Sequence, residues 1–101
     1  MAYAESLTAL ADPTRRLVFE TVAKHPAAVG DLAEGLPVTR PAVSQHLKVL
    51  SDAGLVQSEK RGNRRIYAIK HEGLLELRAY LDQFWDDVMA RFAEEANKRD
   101  H

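Results

Sequence analysis

The chain has 101 residues, of which 46% are hydrophobic and 29% charged, so it can form one small globular domain but not two. It contains no cysteine, which excludes disulfides, thiolate metal sites and thiol redox sensing. We expect a cytoplasmic protein without membrane contact, because the sequence has no run of about 20 apolar residues and no basic leader at its start.

The net charge is −1, but the charged residues are unevenly distributed along the chain. Residues 37–71 carry seven basic and two acidic groups, a balance of +5. Residues 1–36 carry three basic and five acidic groups (−2), and residues 72–101 carry four and eight (−4). A basic patch confined to one part of a nearly neutral chain indicates a polyanionic partner.

Two helices are predicted in the first part of the chain. Segment 3–11 has apolar residues at helical spacing, which predicts the first helix. Asp12 is a typical N-cap and Pro13 is typical of a first helical position, so a second helix is expected over about 13–24. It ends at His25, because the residue before a proline avoids helical geometry.

The next two helices are predicted to form a helix-turn-helix. A short helix is expected over about 29–34, followed by a tight connection that contains Gly35. A longer helix is capped by Thr39, extends to about Asp52 and ends at Gly54, since glycine most easily adopts the left-handed conformation that closes a helix. Two short helices joined by a tight turn are typical of this motif.

The longer helix has an apolar face and a polar face. Val43, Leu47 and Leu50 share one sector of the helix and are predicted to lie in the core. The neighbouring sector holds residue types that bind DNA, since Arg and Gln form paired hydrogen bonds to bases while Ser and Lys reach the backbone. The alternative for this sector is a solvated face without a partner. The candidate DNA contacts are Arg40, Pro41, Ser44, Gln45 and Lys48.

A hairpin is predicted after this helix, with strands over 55–60 and 65–69 around Gly62-Asn63, a pair that suits a two-residue turn. The four cations at its tip would repel one another, which indicates an anionic partner, although an exposed polar hairpin is the alternative. Helix and hairpin together predict a winged helix-turn-helix, whose wing lies along phosphates or the minor groove. The candidate DNA contacts of the wing are Lys60, Arg61, Asn63, Arg64 and Arg65.

The last predicted helix, about 74–98, is the longest, at around 35 Å for about 1.5 Å per residue. Its apolar stripe is longer than a domain of this size can cover, so part of it is expected to meet a second copy, with the first helix alongside. The alternative is a helix packed only within its own chain. The predicted dimer contacts are Tyr3, Leu7, Leu10, Leu77, Leu81, Phe84, Trp85 and Val88.

Four segments, in this order and spacing, resemble the ArsR-type family of bacterial winged helix-turn-helix repressors: "LADPTRR" (10–16), "VGDLAEGL" (29–36), "PAVSQHLKVLSDAGLV" (41–56) and "KRGNRRIYAI" (60–69). The resemblance extends over nearly the whole chain. It implies a single domain over residues 1–101, mainly α with a small two-stranded β-wing and about five helices. It also implies a homodimer, joined through its first and last helices, that binds an inverted repeat in double-stranded DNA and blocks transcription.

The same resemblance makes residues 39–53 the recognition helix. His46 lies toward the apolar edge of this helix, and we interpret it as a partly buried structural residue rather than a DNA contact. Arg15 and Arg16 have two open interpretations, as phosphate contacts or as members of structural ion pairs. The positions where the family contacts DNA are Arg40, Ser44 and Gln45.

Many members of this family release DNA when a metal binds, through cysteines in the early helices or through Asp and His pairs on the last helix. Cysteine is absent here, His71 precedes the predicted last helix and His101 is the final residue, so no histidines lie at helical spacing within that helix. Asp82, Asp86 and Asp87 cluster, but carboxylates alone suit hard cations weakly. The chain therefore resembles the subset without metal sites, and we expect no metal or other cofactor.

The sequence contains no activated nucleophile, glycine-rich phosphate loop or recognisable pair of catalytic carboxylates, so we do not expect an enzyme. We interpret the chain as a sequence-specific, homodimeric repressor whose operator and inducing ligand or partner are unknown. One alternative is a metal-responsive repressor of the same family, whose DNA affinity would respond to zinc or nickel. The other is a winged-helix module that docks an acidic protein and binds DNA weakly without sequence preference.

Overall fold

The computed structural model describes residues 2–99. Within them, five helices and a two-stranded antiparallel sheet confirm the predicted winged helix-turn-helix, mainly α with a small β-wing. None of these helices combines the length and the apolar character that crossing a membrane requires. The elements are α1 (Ala2–Ala11), α2 (Pro13–Lys24), α3 (Val29–Gly35), α4 (Arg40–Asp52), β1 (Val56–Arg61), β2 (Arg64–Ile69) and α5 (His71–Arg99).

The core lies between α2, α3, α4 and the start of β1. Val43, Leu47 and Leu50 of α4 have 0% of their surface exposed, which confirms the predicted apolar face. Burying each such side chain stabilises the fold by about 1.5–3 kcal/mol. The rotation of α4 about its own axis is therefore fixed, and its polar sector is left in solvent. The other large, fully buried apolar side chains are Val18, Val22, Leu32, Leu55 and Val56.

Both predicted N-caps are formed. The Asp12 carboxylate accepts a hydrogen bond from the N–H of Arg15 at 2.9 Å, and the Thr39 hydroxyl accepts one from the N–H of Ala42 at 3.3 Å. Each cap satisfies one of the N–H groups that a helix leaves unpaired at its start. After α4 the chain reverses at Gly54, whose φ of +79° is the left-handed conformation expected there.

The Asp12 cap gives α2 a pH-dependent contribution to stability. Mainly because of the backbone hydrogen bond from Arg15, the pKa of Asp12 lies below its usual 3.8. A lowered folded-state pKa means that the stabilisation is present above the unfolded-state pKa and is lost as the pH falls through the folded-state value. We expect Asp12→Ala to lower the Tm at neutral pH and to have little effect in strong acid. Thermal unfolding of both proteins checks this, and the same loss of Tm at both pH values would contradict it.

Arg15 and Arg16 close the end of α1. Nε of Arg15 donates to the carbonyl of Ala9 at 2.6 Å, and Nη1 of Arg16 donates to the carbonyl of Leu10 at 3.0 Å. The last carbonyls of a helix have no partner within the helix, so these guanidinium groups cap α1 and join it to α2. The structure supports a structural role for both arginines, but their partners are carbonyl oxygens and not the acidic side chains of the expected ion pairs.

The helix α5 begins at His71, three residues earlier than predicted. The N–H of Leu74 donates to the carbonyl of Lys70 at 3.4 Å and closes a first turn that the apolar spacing did not indicate. Gly73 lies in this turn directly against Gly54, where a Cβ atom would overlap the Gly54 carbonyl oxygen. This backbone contact holds the start of α5 on the end of α4. His71 consequently lies inside the helix and not before it.

The wing has the predicted hairpin form with slightly different bounds. β1 begins and ends one residue later than expected, and β2 begins one residue earlier. Arg61 pairs with Arg64, so Gly62 and Asn63 alone form the turn. Gly62, the first residue of the turn, has a φ of +62°, whereas the φ of Asn63 is not positive. A positive φ at the first of the two turn residues alone is typical of a type II′ turn.

Backbone hydrogen bonds tie the wing and the end of α4 to the rest of the domain. Ala27, just before α3, exchanges two hydrogen bonds with Tyr67 of β2, at 3.0 and 2.8 Å. The N–H of Lys70 donates to the carbonyl of Leu55 at 2.9 Å. The sequence did not predict either link. The wing is thus attached to the segment before α3 and to the segment after α4, and is not a free-standing hairpin.

Candidate nucleic-acid interface

The polar face of α4 is open to solvent. Because Val43 and Leu47 are fully buried on the apolar side of the helix, Ser44 and Gln45 between them are exposed. The Thr39 cap also places the start of the helix at the surface. The structure thus gathers the five predicted contacts of this helix on one exposed face: Arg40, Pro41, Ser44, Gln45 and Lys48.

The wing has two pairs of like charges in directly opposed positions. Lys60 lies opposite Arg65, and Arg61 lies opposite Arg64. Like charges that face each other across two strands destabilise a sheet. All four side chains and that of Asn63 are exposed. Folding alone does not account for this arrangement, whereas binding to a polyanion does.

Three of the candidate cations have acidic partners within the chain. All three pairs are more than half exposed, so each contributes about 0–1 kcal/mol to folding. Arg65 donates a hydrogen bond to the Ser58 hydroxyl at 3.0 Å. Within residues 2–99, Arg40 and Lys60 have no ion-pair partner. The pairs are Arg64–Asp31 (2.6 Å), Lys48–Asp52 (3.1 Å) and Arg61–Glu59 (3.6 Å), measured from nitrogen to oxygen.

A groove of about 500 Å³ brings the start of α4 next to the wing. Arg40 extends over Gly30, where a Cβ atom would lie only 3.1 Å from Nη2 of Arg40. Sequence reasoning missed Gly30, Asp31 and Glu34 as members of this site, because it used the segment 29–36 only as the first helix of the helix-turn-helix. The residues that line the groove are Ala28, Val29, Gly30, Asp31, Glu34, Arg40, Arg64 and Arg65.

His46 is half-buried, as predicted, and lies outside the exposed face of α4. Its Nδ1 atom is buried and has no hydrogen-bond partner among the described residues. An unpaired buried nitrogen lowers stability, and the half-burial of the ring agrees with the interpretation of His46 as a structural residue.

Comparison with known proteins identifies the family. The model of bacterial regulatory proteins of the arsR family matches residues 12–58, from the cap of α2 into β1. The HTH-type transcriptional regulator Rv2034 of Mycobacterium tuberculosis (strain ATCC 25618 / H37Rv) is 52% identical over 86 residues, which cover 85% of this chain and 80% of the relative. The chain belongs to the ArsR family. It is a DNA-binding transcriptional regulator and not an enzyme.

Solved structures agree with this assignment of the chain to the ArsR family. An ArsR-like transcriptional regulator from Rhodococcus sp. RHA1 superimposes with a TM-score of 0.80 at 29% identity, covering 91% of this chain and 87% of that one. The homodimeric winged helix-turn-helix DNA-binding domain of Mb0332 from Mycobacterium bovis, solved by solution NMR, has a TM-score of 0.68 at 27% identity, covering 85% and 80%.

In this ArsR-family chain, the second half of α5 extends beyond the domain. The helix has 29 residues, about 43 Å at about 1.5 Å per residue, and the longest dimension of the molecule is 67 Å. Its apolar side chains there are between 39% and 68% exposed. A continuous apolar surface of this kind is rare on a monomer. These exposed residues, named here the α5 stripe, are Leu81, Phe84, Trp85, Val88, Met89 and Phe92.

The predicted dimer contacts of this ArsR-family chain divide into two groups. Leu77 was predicted to face a partner, but only 7% of it is exposed, because it lies on the face of α5 that packs against its own domain. Leu10 packs against the core, and Tyr3 stacks on Tyr80 at 4.3 Å between ring centroids, so α1 lies along α5 within one chain. The exposed group comprises Leu7, Leu81, Phe84, Trp85 and Val88.

Metal-binding side chains do not converge within residues 2–99 of the ArsR-family chain, where no group of three or more His, Cys, Asp or Glu could hold an ion. His71 is exposed at the start of α5. His101, the other histidine considered for such a site, lies outside the described residues.

Proposed function

We propose that this ArsR-family regulator is a homodimeric repressor that binds an inverted-repeat operator in the cytoplasm, without a bound metal. In this proposal the exposed face of α4 enters the major groove and the wing lies along the backbone of the same half-site. Repression follows because a dimer seated on an operator blocks access to the promoter.

The observation that carries the proposal is the position of the like-charged wing beside the exposed start of α4. Arg40, Arg64 and Arg65 line one groove although they come from different elements. Phosphate contacts supply affinity without sequence preference, whereas side chains such as Gln45 read bases. The candidate phosphate contacts and the candidate base contacts are adjacent on one surface. Binding in a groove of DNA requires this arrangement, because the bases of the groove lie between two phosphate backbones.

The α5 stripe supports the dimeric part of the proposal. Six large apolar side chains are exposed on a helix that extends beyond its own core. Pairing with a second copy would remove them from water and place two recognition helices about 34–36 Å apart, one turn of DNA. The homodimeric neighbour from Mycobacterium bovis has the same fold.

Selection of random duplex DNA on the purified protein tests the proposal. At about 0.15 M salt, where non-specific binding is weak, the retained DNA is expected to contain an inverted repeat. Retention of DNA without any enriched sequence would overturn the proposal and favour an acidic protein as the partner. A change in operator affinity on addition of zinc or nickel would overturn its metal-independent part.

Gln45 and Lys60 are predicted to have different effects on DNA binding. Gln45→Ala should reduce operator affinity by about 1–3 kcal/mol and relax the base preference at one position. Lys60→Ala should weaken binding to every sequence alike and reduce the salt slope by about one unit. Lys60 is suitable for this test because it has no ion-pair partner within residues 2–99.

Binding isotherms for the operator and for a scrambled duplex, each over a range of salt, separate the two effects. The same loss for both variants on both duplexes would contradict the division into base and phosphate contacts.

A further inference from the structure

The ion pair between Arg64 and Asp31 connects the wing to the helix-turn-helix. Nη2 of Arg64 lies 2.6 Å from Oδ2 of Asp31, which joins β2 to α3. Among residues 2–99 it is the one ion pair between separate elements, since the others lie within a single helix or strand. Those other pairs are Lys48–Asp52, Glu59–Arg61 and Arg78–Asp82.

Asp31 and Glu34 place negative charge in a surface that is otherwise basic. Both line the groove that also contains Arg40, Arg64 and Arg65. An acid in the first turn of a helix is favourable for that helix, but this does not require Asp31 to contact the wing. The side chains of Arg64 and Asp31 are 57% and 55% exposed, and ion pairs so exposed contribute little to folding.

Carboxylate and phosphate oxygens are alternative partners for one guanidinium group. A phosphate that approaches Arg64 must either displace Asp31 or remain next to a second negative charge. Both outcomes lower the affinity for DNA, and neither depends on base sequence. The acid therefore reduces the phosphate contact that Arg64 can provide.

We propose that Asp31 is an affinity-limiting residue, which competes with DNA phosphate for Arg64 and so weakens the binding of every duplex. The proposal rests on the proposed contact of the wing with the DNA backbone. Its consequence is a lower population of protein held on non-operator DNA.

The test compares Asp31→Asn with Glu34→Gln, the matched control. Each variant removes one negative charge from the same groove, but only Asp31 is paired with Arg64. Asp31→Asn is expected to bind a random-sequence duplex about two- to fivefold more tightly, with a steeper salt dependence. Glu34→Gln is expected to give a smaller increase. Binding is measured with the full chain over a series of salt concentrations.

Arg64→Gln, alone and combined with Asp31→Asn, shows whether the effect passes through the ion pair. In the Arg64→Gln background, Asp31→Asn should have no more effect than Glu34→Gln. If Arg64→Gln does not weaken DNA binding, the wing contact of the proposed function is wrong. If Arg64→Gln weakens binding but Asp31→Asn matches Glu34→Gln or lowers affinity, the competition is wrong while the wing contact stands.

Discussion

Replacing Trp85 with glutamate is expected to convert the protein to a monomer and to lower its operator affinity by about 10²–10⁴-fold. The monomer would lose the affinity that a dimer gains by binding two half-sites at once. Trp85 is 61% exposed in the single chain and lies in the middle of the α5 stripe. A carboxylate there would have to be buried without a partner when two copies pair, which is strongly unfavourable. Analytical ultracentrifugation and operator titration measure both effects.

Leu75→Glu is the matched control for this substitution. Leu75 is also 61% exposed and lies on α5, ten residues before Trp85 and about 80° around the helix axis from it, so it precedes the α5 stripe. We expect this variant to remain a dimer and to bind operator normally. Dimers of Trp85→Glu would show that the α5 stripe is not the interface, and monomers of both variants would show that the interface is not confined to the α5 stripe.

The substitution Gly73→Ala is expected to destabilise the fold by about 1–3 kcal/mol, the usual cost of overpacking. An alanine normally stabilises a helix by about 1 kcal/mol relative to glycine, so the expected sign is opposite to that of the helix propensity. The reason is the contact with Gly54, because the added methyl group would overlap a backbone carbonyl that cannot rotate away. Chemical denaturation measures the free energy of unfolding.

Gly35→Ala provides the comparison, since Gly35 also lies in a helix and an added Cβ would meet no atom within 4 Å. This variant should be as stable as the original chain or slightly more stable. If both substitutions changed the free energy of unfolding equally, the contact between Gly73 and Gly54 would have no energetic role.

Local signals in the sequence predicted most of the fold. Asp12 and Thr39 act as caps because their side chains bond to N–H groups three residues away. The apolar face of α4 follows from the spacing of Val43, Leu47 and Leu50, all fully buried. Such features depend on neighbours in the chain, so they can be identified without a structure.

The features that the sequence did not predict join residues far apart in the chain. The pairing of Ala27 with Tyr67 and the ion pair of Asp31 with Arg64 each connect segments more than 30 residues apart. No spacing rule indicates such partners, because they depend on how the elements pack. The sequence also did not predict that α5 begins at His71. Its first turn packs through Gly73 against Gly54, and this contact forms only in the folded domain.

At the start of α5, the backbone of Gly73 lies directly against the Gly54 carbonyl in the turn after α4, and the N–H of Lys70 donates to the carbonyl of Leu55. This close contact fixes the position of α5 relative to α4 within one chain. In a dimer built through α5, the distance and the angle between the two recognition helices would therefore be fixed as well. One base pair added between half-sites shifts one of them by about 3.4 Å and turns it by about 35° around the DNA axis. For the proposed operator, spacer length is thus as much a part of the recognised sequence as the bases, and a genomic search should keep it constant.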